Sequence, residues 1–135
     1  MEVFGDTSYF LALLMRNDRA HGKAEDYARS YRGTIVTSAW IVTEILDGLS
    51  SFAWRRKAVL FVDSLIEDPG VQIVPLDIGL HQEACELYKR RLDKEWSLTD
   101  CVSFAIMRRK GIHVALTLDR DFVQAGFTAP LIIRK

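Results

Sequence analysis

Cysteine, net charge and long apolar runs are what this sequence has least of. Its two cysteines, Cys85 and Cys101, belong to no Cys-x-x-Cys pair and sit inside helical patterns. That excludes a disulfide framework and a cysteine-built zinc site, and it leaves reduced core thiols. Eighteen basic and eighteen acidic residues cancel, which excludes a protein that coats nucleic acid by bulk charge. No apolar run approaches the roughly 20 residues of a membrane span and no charged-then-apolar leader opens the chain, so a cytoplasmic protein with no membrane attachment is expected. A glycine-rich nucleotide loop, a Gly-x-Ser-x-Gly elbow and a His-x-x-x-His pair are also missing. His21, His81 and His113 stand alone and are read as surface or core residues, not as bases. With no repeat and no low-complexity tract, the 135 residues fit one domain spanning 1–135, large enough to bury a core without metals or disulfides.

What is present alternates between strand and helix. Short β-branched or apolar runs at Glu2-Val3-Phe4-Gly5, Thr34-Ile35-Val36-Thr37, Val71-Gln72-Ile73-Val74 and His113-Val114-Ala115-Leu116-Thr117 read as strands, and Leu131-Ile132-Ile133 as a short fifth at an edge. Helical periodicity fills the intervals: 7–15, 21–31, 38 to about 52, 54–66, 78 to about 92, and 97–111. Asp68-Pro69-Gly70 is a breaker. Strands separated by helices predict a parallel sheet covered on both faces, a three-layer α/β/α fold with four to five strands.

Four acids fall at equivalent places in that pattern. Asp6 follows the first strand and Asp119 the fourth; Glu44 and Asp100 lie on helices entered from the sheet's carboxyl edge. Ligands bind beyond the carboxyl ends of such strands. Asp6 before Thr-Ser is also an ordinary helix cap, and Ser97 with Asp100 has capping-box spacing. Asp100, however, shares its side of the helix with Phe104 and Met107, so its carboxylate needs a cationic partner. Hard oxygen donors without a histidine or cysteine cluster favour Mg2+ or Mn2+ over zinc, and such a site suits phosphodiester hydrolysis.

Asp6-Thr7-Ser8, Thr43-Glu44, the run from Trp96 to Phe104, and Thr117-Leu118-Asp119-Arg120-Asp121-Phe122 together resemble the PIN-domain ribonucleases, and within them the VapC-type toxins. The resemblance spans essentially the whole chain, and its most specific part is Trp96 to Phe104. It implies a Mg2+- or Mn2+-dependent endoribonuclease acting on RNA, a homodimer, and a small antitoxin protein as inhibitor. By position it makes Asp6 and Asp100 the principal catalytic metal ligands, with Glu44 and Asp119 completing the set. Thr7, Ser97 and Thr99 would orient carboxylates and waters. Asp121 would be an extra acid, fitting the pattern less well than Asp119. Gly5 departs from the branched apolar residue usual before the first Asp, which bears on strand-end packing.

Of the three basic triplets, Arg55-Arg56-Lys57, Lys89-Arg90-Arg91 and Arg108-Arg109-Lys110, the second ends the helix just before the Trp96 to Asp100 stretch and is the best placed to form an RNA-binding rim. Two other classes of function stay open: a PIN-like module that binds RNA or protein without cutting, and another Mg2+-dependent phosphohydrolase with Asp6 as nucleophile. Four clustered acids speak against the first. The second wants a further Asp where this chain has Ser8.

Overall fold

The computed structural model describes residues 1–132. Four strands, β1 (Glu2–Gly5), β2 (Thr34–Ser38), β3 (Val71–Val74) and β4 (Ala115–Leu116), pair in parallel in the order β3-β2-β1-β4. Among the described residues seven helices flank the sheet in an α/β/α arrangement: α1 (Thr7–Leu14), α2 (His21–Ser30), α3 (Ala39–Gly48), α4 (Phe52–Glu67), α5 (Ile78–Arg90), α6 (Leu98–Lys110) and α7 (Asp121–Gln124). The chain winds from β1 outward through β2 to β3 and then returns to the other side of β1. The sheet therefore reverses its winding between β1 and β4, and the cleft beyond the carboxyl ends of those strands is the topological switch point.

Central β1 carries Val3 and Phe4, both fully buried, as expected for a strand covered on both faces. Gly5 at its end has a steric reason: a Cβ there would sit 2.7 Å from Cζ and 2.9 Å from Cε2 of the Phe10 ring, and 3.1 Å from Cγ2 of Ile35. The ring of Phe10 occupies the space a branched residue would need. Helix α6 is buried from Cys101 to Met107. Its Phe104 meets Trp96 edge-on at 5.1 Å, Phe122 edge-on at 4.9 Å and Phe127 at 5.7 Å, while Phe122 in turn stacks on Phe4 at 6.4 Å. Each such ring contributes roughly 1.5–3 kcal/mol by burial, and together they lock β1, α6 and α7 to one another. Those are the elements that carry Asp6, Asp100 and Asp121.

Three expectations need correction. The helix expected from 38 to about 52 ends at Gly48, and α4 already starts at Phe52, because Ser51 takes the extended backbone of an N-cap. The fourth strand is confined to Ala115–Leu116; on its outer side the chain at Val114 is bridged in parallel by Thr128. The fifth strand does not form over Leu131 and Ile132, which lie in a turn and a bend, and Ile133 lies outside the described residues. Leu131 is buried nonetheless, so its apolar character serves packing instead of pairing.

Candidate active site

Asp6 leaves β1 with its backbone N–H bonded to the Leu116 carbonyl of β4 at 3.0 Å, so its position is set by the strand ladder itself. It caps α1 by position but makes no side-chain cap hydrogen bond. Instead its Oδ2 accepts from the Thr117 hydroxyl at 2.7 Å and from the Ser8 hydroxyl at 3.2 Å. Thr117 also accepts the Asp119 N–H at 3.0 Å, and Ser8 accepts the Leu118 N–H at 2.9 Å. Two hydroxyls thus tie the end of β1 to the turn after β4. The linear motif gives neither hydroxyl a role, and the only signal for them is a position two residues from an acid at a strand end.

Asp100 enters from α6. The capping box exists: the Asp100 N–H donates to Ser97 Oγ at 3.0 Å, and the Ser97 N–H donates to Asp100 Oδ2 at 3.3 Å. Capping and site-building are compatible, because oxygens of Asp100, Asp119 and Asp121 lie within 4.8 Å of one another, the one such acidic group among the described residues. Asp121 is brought in by the turn, its N–H donating to Asp119 Oδ1 at 2.9 Å. Asp6 and Glu44 stand outside that close group. Glu44, half-buried on α3, receives the Thr7 hydroxyl at 2.5 Å. Thr99 makes no hydrogen bond to any acid among the described residues; its carbonyl accepts the Ser103 hydroxyl.

Burial and like charge act together on these carboxyls. Burial pushes Asp6, 6% exposed, up to about 6; bonds from Thr117, the Thr7 backbone and Ser8 oppose the rise, and the charge of Glu44 adds to it. Asp100 is pushed up to about 7, first by burial and then by Asp119 and Asp6, with Ser97 opposing. Asp121 rises by burial, by the charge of Asp119 and by the hydrogen bond shared with it, then by Glu95, against Lys94. Crowded, desolvated acids that raise one another's pKa form a site short of positive charge. All its donors are hard oxygens, which fits a small divalent cation.

The basic triplets lie outside this cluster and are largely engaged. Lys89 pairs with Glu86 at 3.7 Å, Arg91 grips Asp93 with two bonds of 2.9 Å, and Arg109 holds Glu83 at 2.8 Å. Arg90 is exposed with no ion pair among the described residues.

The PIN domain model matches residues 3–128. The chain belongs to the PIN-domain family. Within it the VapC type is shown by a relative from Mycobacterium tuberculosis, described as the 23S rRNA-specific endonuclease VapC20, which is 33% identical over 125 residues, 93% of this chain and 95% of that protein. The crystal structure of M. tuberculosis VapC20, described as a sarcin-ricin loop cleaving toxin, superposes with a TM-score of 0.86 at 32% identity, covering 93% of this chain and 96% of that one. This PIN domain also shares its fold with VapBC2 from Rickettsia felis, solved bound to a DNA fragment from its promoter (TM-score 0.68, 13% identity, 96% of each chain). FitAcB from Neisseria gonorrhoeae gives a TM-score of 0.70 at 17% identity, covering 94% and 95%.

Proposed function

We propose that this PIN domain is a divalent-cation-dependent endoribonuclease, the toxin of a toxin–antitoxin pair, acting in the cytoplasm on structured RNA. The observation that carries this reading is the convergence of Asp100, Asp119 and Asp121 at the switch point, beside the buried Asp6. Asp6 and Asp100 would be the principal holders of the cation, Mg2+ or Mn2+, with Glu44 and Asp119 completing the set directly or through water and Asp121 as an extra acid beside Asp119. When bound, the cation supplies charge neutralisation at the scissile phosphate and acidification of the attacking water. The protein's own share is positioning. Thr117 and Ser8 fix the Asp6 carboxylate, Thr7 fixes Glu44, and Ser97 fixes both the helix start and Asp100. VapC20 names the RNA to try first, the sarcin-ricin loop of 23S rRNA. Intact 23S rRNA should yield one discrete new end with Mg2+ or Mn2+ present and none with EDTA. Absence of cutting with either ion, or cutting that persists in EDTA, removes the reading.

A protein partner is supported by α4, which exposes Phe52, Val59, Leu60 and Ile66 along its length, an apolar row that invites an antitoxin or a second copy.

Thr117→Val tests the positioning role. Losing the hydroxyl that lowers the pKa of Asp6 should move that group above about 6 and weaken Mg2+ binding by about 10- to 100-fold, the usual cost of removing a group that orients a ligand. Calorimetry reads the affinity and carboxyl NMR the titration; an unmoved Mg2+ affinity would reduce Thr117 to packing.

Reversing charge at Lys89 and Arg90 should weaken RNA binding and flatten its salt dependence, by about 0.7 in log–log slope for each lost single-strand phosphate contact. The same reversal at Arg109 and Lys110 should do little, since they end α6, about 14 to 15 Å from Asp100 at 1.5 Å per residue. Equal slopes for both pairs in a salt-titrated binding assay would make the triplets solvated helix faces only.

A further inference from the structure

The acids offer oxygen acceptors and no surface on which a base can stack, so they have no means of telling one nucleotide from another. Next to them, the segment 91–97 that joins α5 to α6 borders a cavity of about 210 Å3 lined by Tyr88, Arg91, Leu92, Lys94, Trp96 and Cys101. It is smaller than the roughly 300–1,000 Å3 of pockets that enclose drug-sized ligands, and suits a single heterocycle.

Its lining is flat and cationic. Trp96 is buried, 4% exposed, and its indole N–H has no acceptor among the described residues, so the residue is anchored by its ring and not by its polar atom. The Arg91 guanidinium carbon lies 5.0 Å from that ring's centroid and the Lys94 ammonium 5.8 Å. Asp93 grips the Arg91 fork through Nε and Nη2, both at 2.9 Å. The guanidinium plane is therefore held from two directions while its side chain remains 40% exposed. Tyr88, one turn before it in sequence, is 52% exposed and contributes a second planar group. Two of its lining residues lead to the acids: Cys101 follows Asp100 in sequence, and the charge of Lys94 bears on Asp121.

We infer that this cavity is a nucleobase subsite: a base of the bound RNA fills it, stacking on the Arg91 guanidinium and the Tyr88 ring, with Lys94 on the adjoining phosphate. Unstacked bases in RNA loops are taken up on aromatic rings and arginine planes in this way. The subsite reads the nucleotide beside the cut, and it rests on the ribonuclease reading above for its ligand. It also separates Arg91 from Lys89 and Arg90. Those two act through charge, which any cation supplies, whereas Arg91 acts through its plane, which lysine lacks.

The test uses the 15N-labelled Mg2+-loaded protein, with the Trp96 indole signal assigned by Trp96→Phe. It is titrated separately with the four nucleoside 5′-monophosphates and with inorganic phosphate. At least one nucleotide should shift the Trp96 signal and phosphate alone should not. Arg91→Lys, at a half-buried position, and Tyr88→Ala, at an exposed one, should abolish that shift, weaken binding of an RNA hairpin by about 5- to 100-fold and spread the cut over additional positions. Tyr88→Phe, which keeps the ring, should retain all three properties. A Trp96 signal that ignores every nucleotide, one that moves equally with phosphate, or an Arg91→Lys protein with unchanged affinity and cut position overturns the subsite. The two readings fail separately. A wild-type protein that cuts no RNA while its Trp96 answers to nucleotides loses the nuclease and keeps the subsite, and one that cuts RNA with Trp96 unmoved does the reverse.

Discussion

Asp100→Asn should leave a folded protein whose Mg2+-dependent cleavage of RNA has fallen by more than about 100-fold, since even removing a group that merely orients a metal ligand costs about 10- to 100-fold. The same protein, free of metal at pH 8, should melt higher than the parent, on the order of 5 °C. Both effects come from one change of charge. At pH 8 the Asp100 carboxyl, whose pKa burial and the neighbouring acids have raised to about 7, is ionised against its surroundings; the amide removes that repulsion. It also keeps the cap, because the Asn carbonyl still accepts the Ser97 N–H that now reaches Asp100 Oδ2. Loss of cleavage with gain of stability is the signature of a functional carboxylate. A pure capping residue would show neither, and an Asp100→Asn protein that cuts RNA at the parent rate would mean the ligand has been misassigned. Cleavage is read by primer extension on 23S rRNA and melting by circular dichroism.

The parts of this site that could be read from the chain are those whose signals are local. Asp6 stands where an apolar run gives way to Thr-Ser, and Ser97 with Asp100 has the spacing of a capping box, which α6 uses. Glu44 follows from a helical wheel, at the border between the buried Ile41 and Ile45 and the exposed Asp47. What was hidden depends on contacts across long separations or on turn geometry. The Thr117 hydroxyl reaches Asp6 across 111 positions, and no local pattern marks it. Asp121 fits the linear motif less well than Asp119, yet the tight turn between them brings both into the group with Asp100. At Leu131 and Ile132 a short apolar run carries the same signal whether it pairs or plugs a core, and Leu131 plugs. The placing of the Arg91 and Lys94 charges over Trp96 is invisible for a related reason: basic residues near an aromatic are common, and only the fold of 91–97 shows which ring they cover.

Without metal, the protein should become less stable as pH rises from about 4 to 7, the opposite of the usual trend for a protein whose acids are paired. Asp6 and Asp100 hold their protons up to about 6 and about 7 in the folded state, against an ordinary 3.8. Between those limits the folded chain therefore binds more protons than the unfolded one, and the free energy of unfolding falls with pH through that window and is level above it. For the buried Asp6, a rise of about 2 units corresponds to a loss on the order of 3 kcal/mol. Asp100 is more exposed and better screened, and it titrates together with its neighbours, so it adds less than its own shift would suggest. Asp93 works in the other direction, since the hydrogen bonds from Arg91 hold it at about 2, but its contribution is lost only below about 4 and leaves the window clear. Saturating Mg2+ should reverse the slope. Ions that bind the folded state add about 2.7 kcal/mol at 100 times Kd, and the gain grows with pH as the acids release their protons. Urea melts at pH 4.5, 6.0 and 7.5, with Mg2+ and with EDTA, measure both slopes. Metal-free stability that is level or rising across this range, together with no response to Mg2+, would leave these acids as solvated helix caps and take the catalytic cation away from the site.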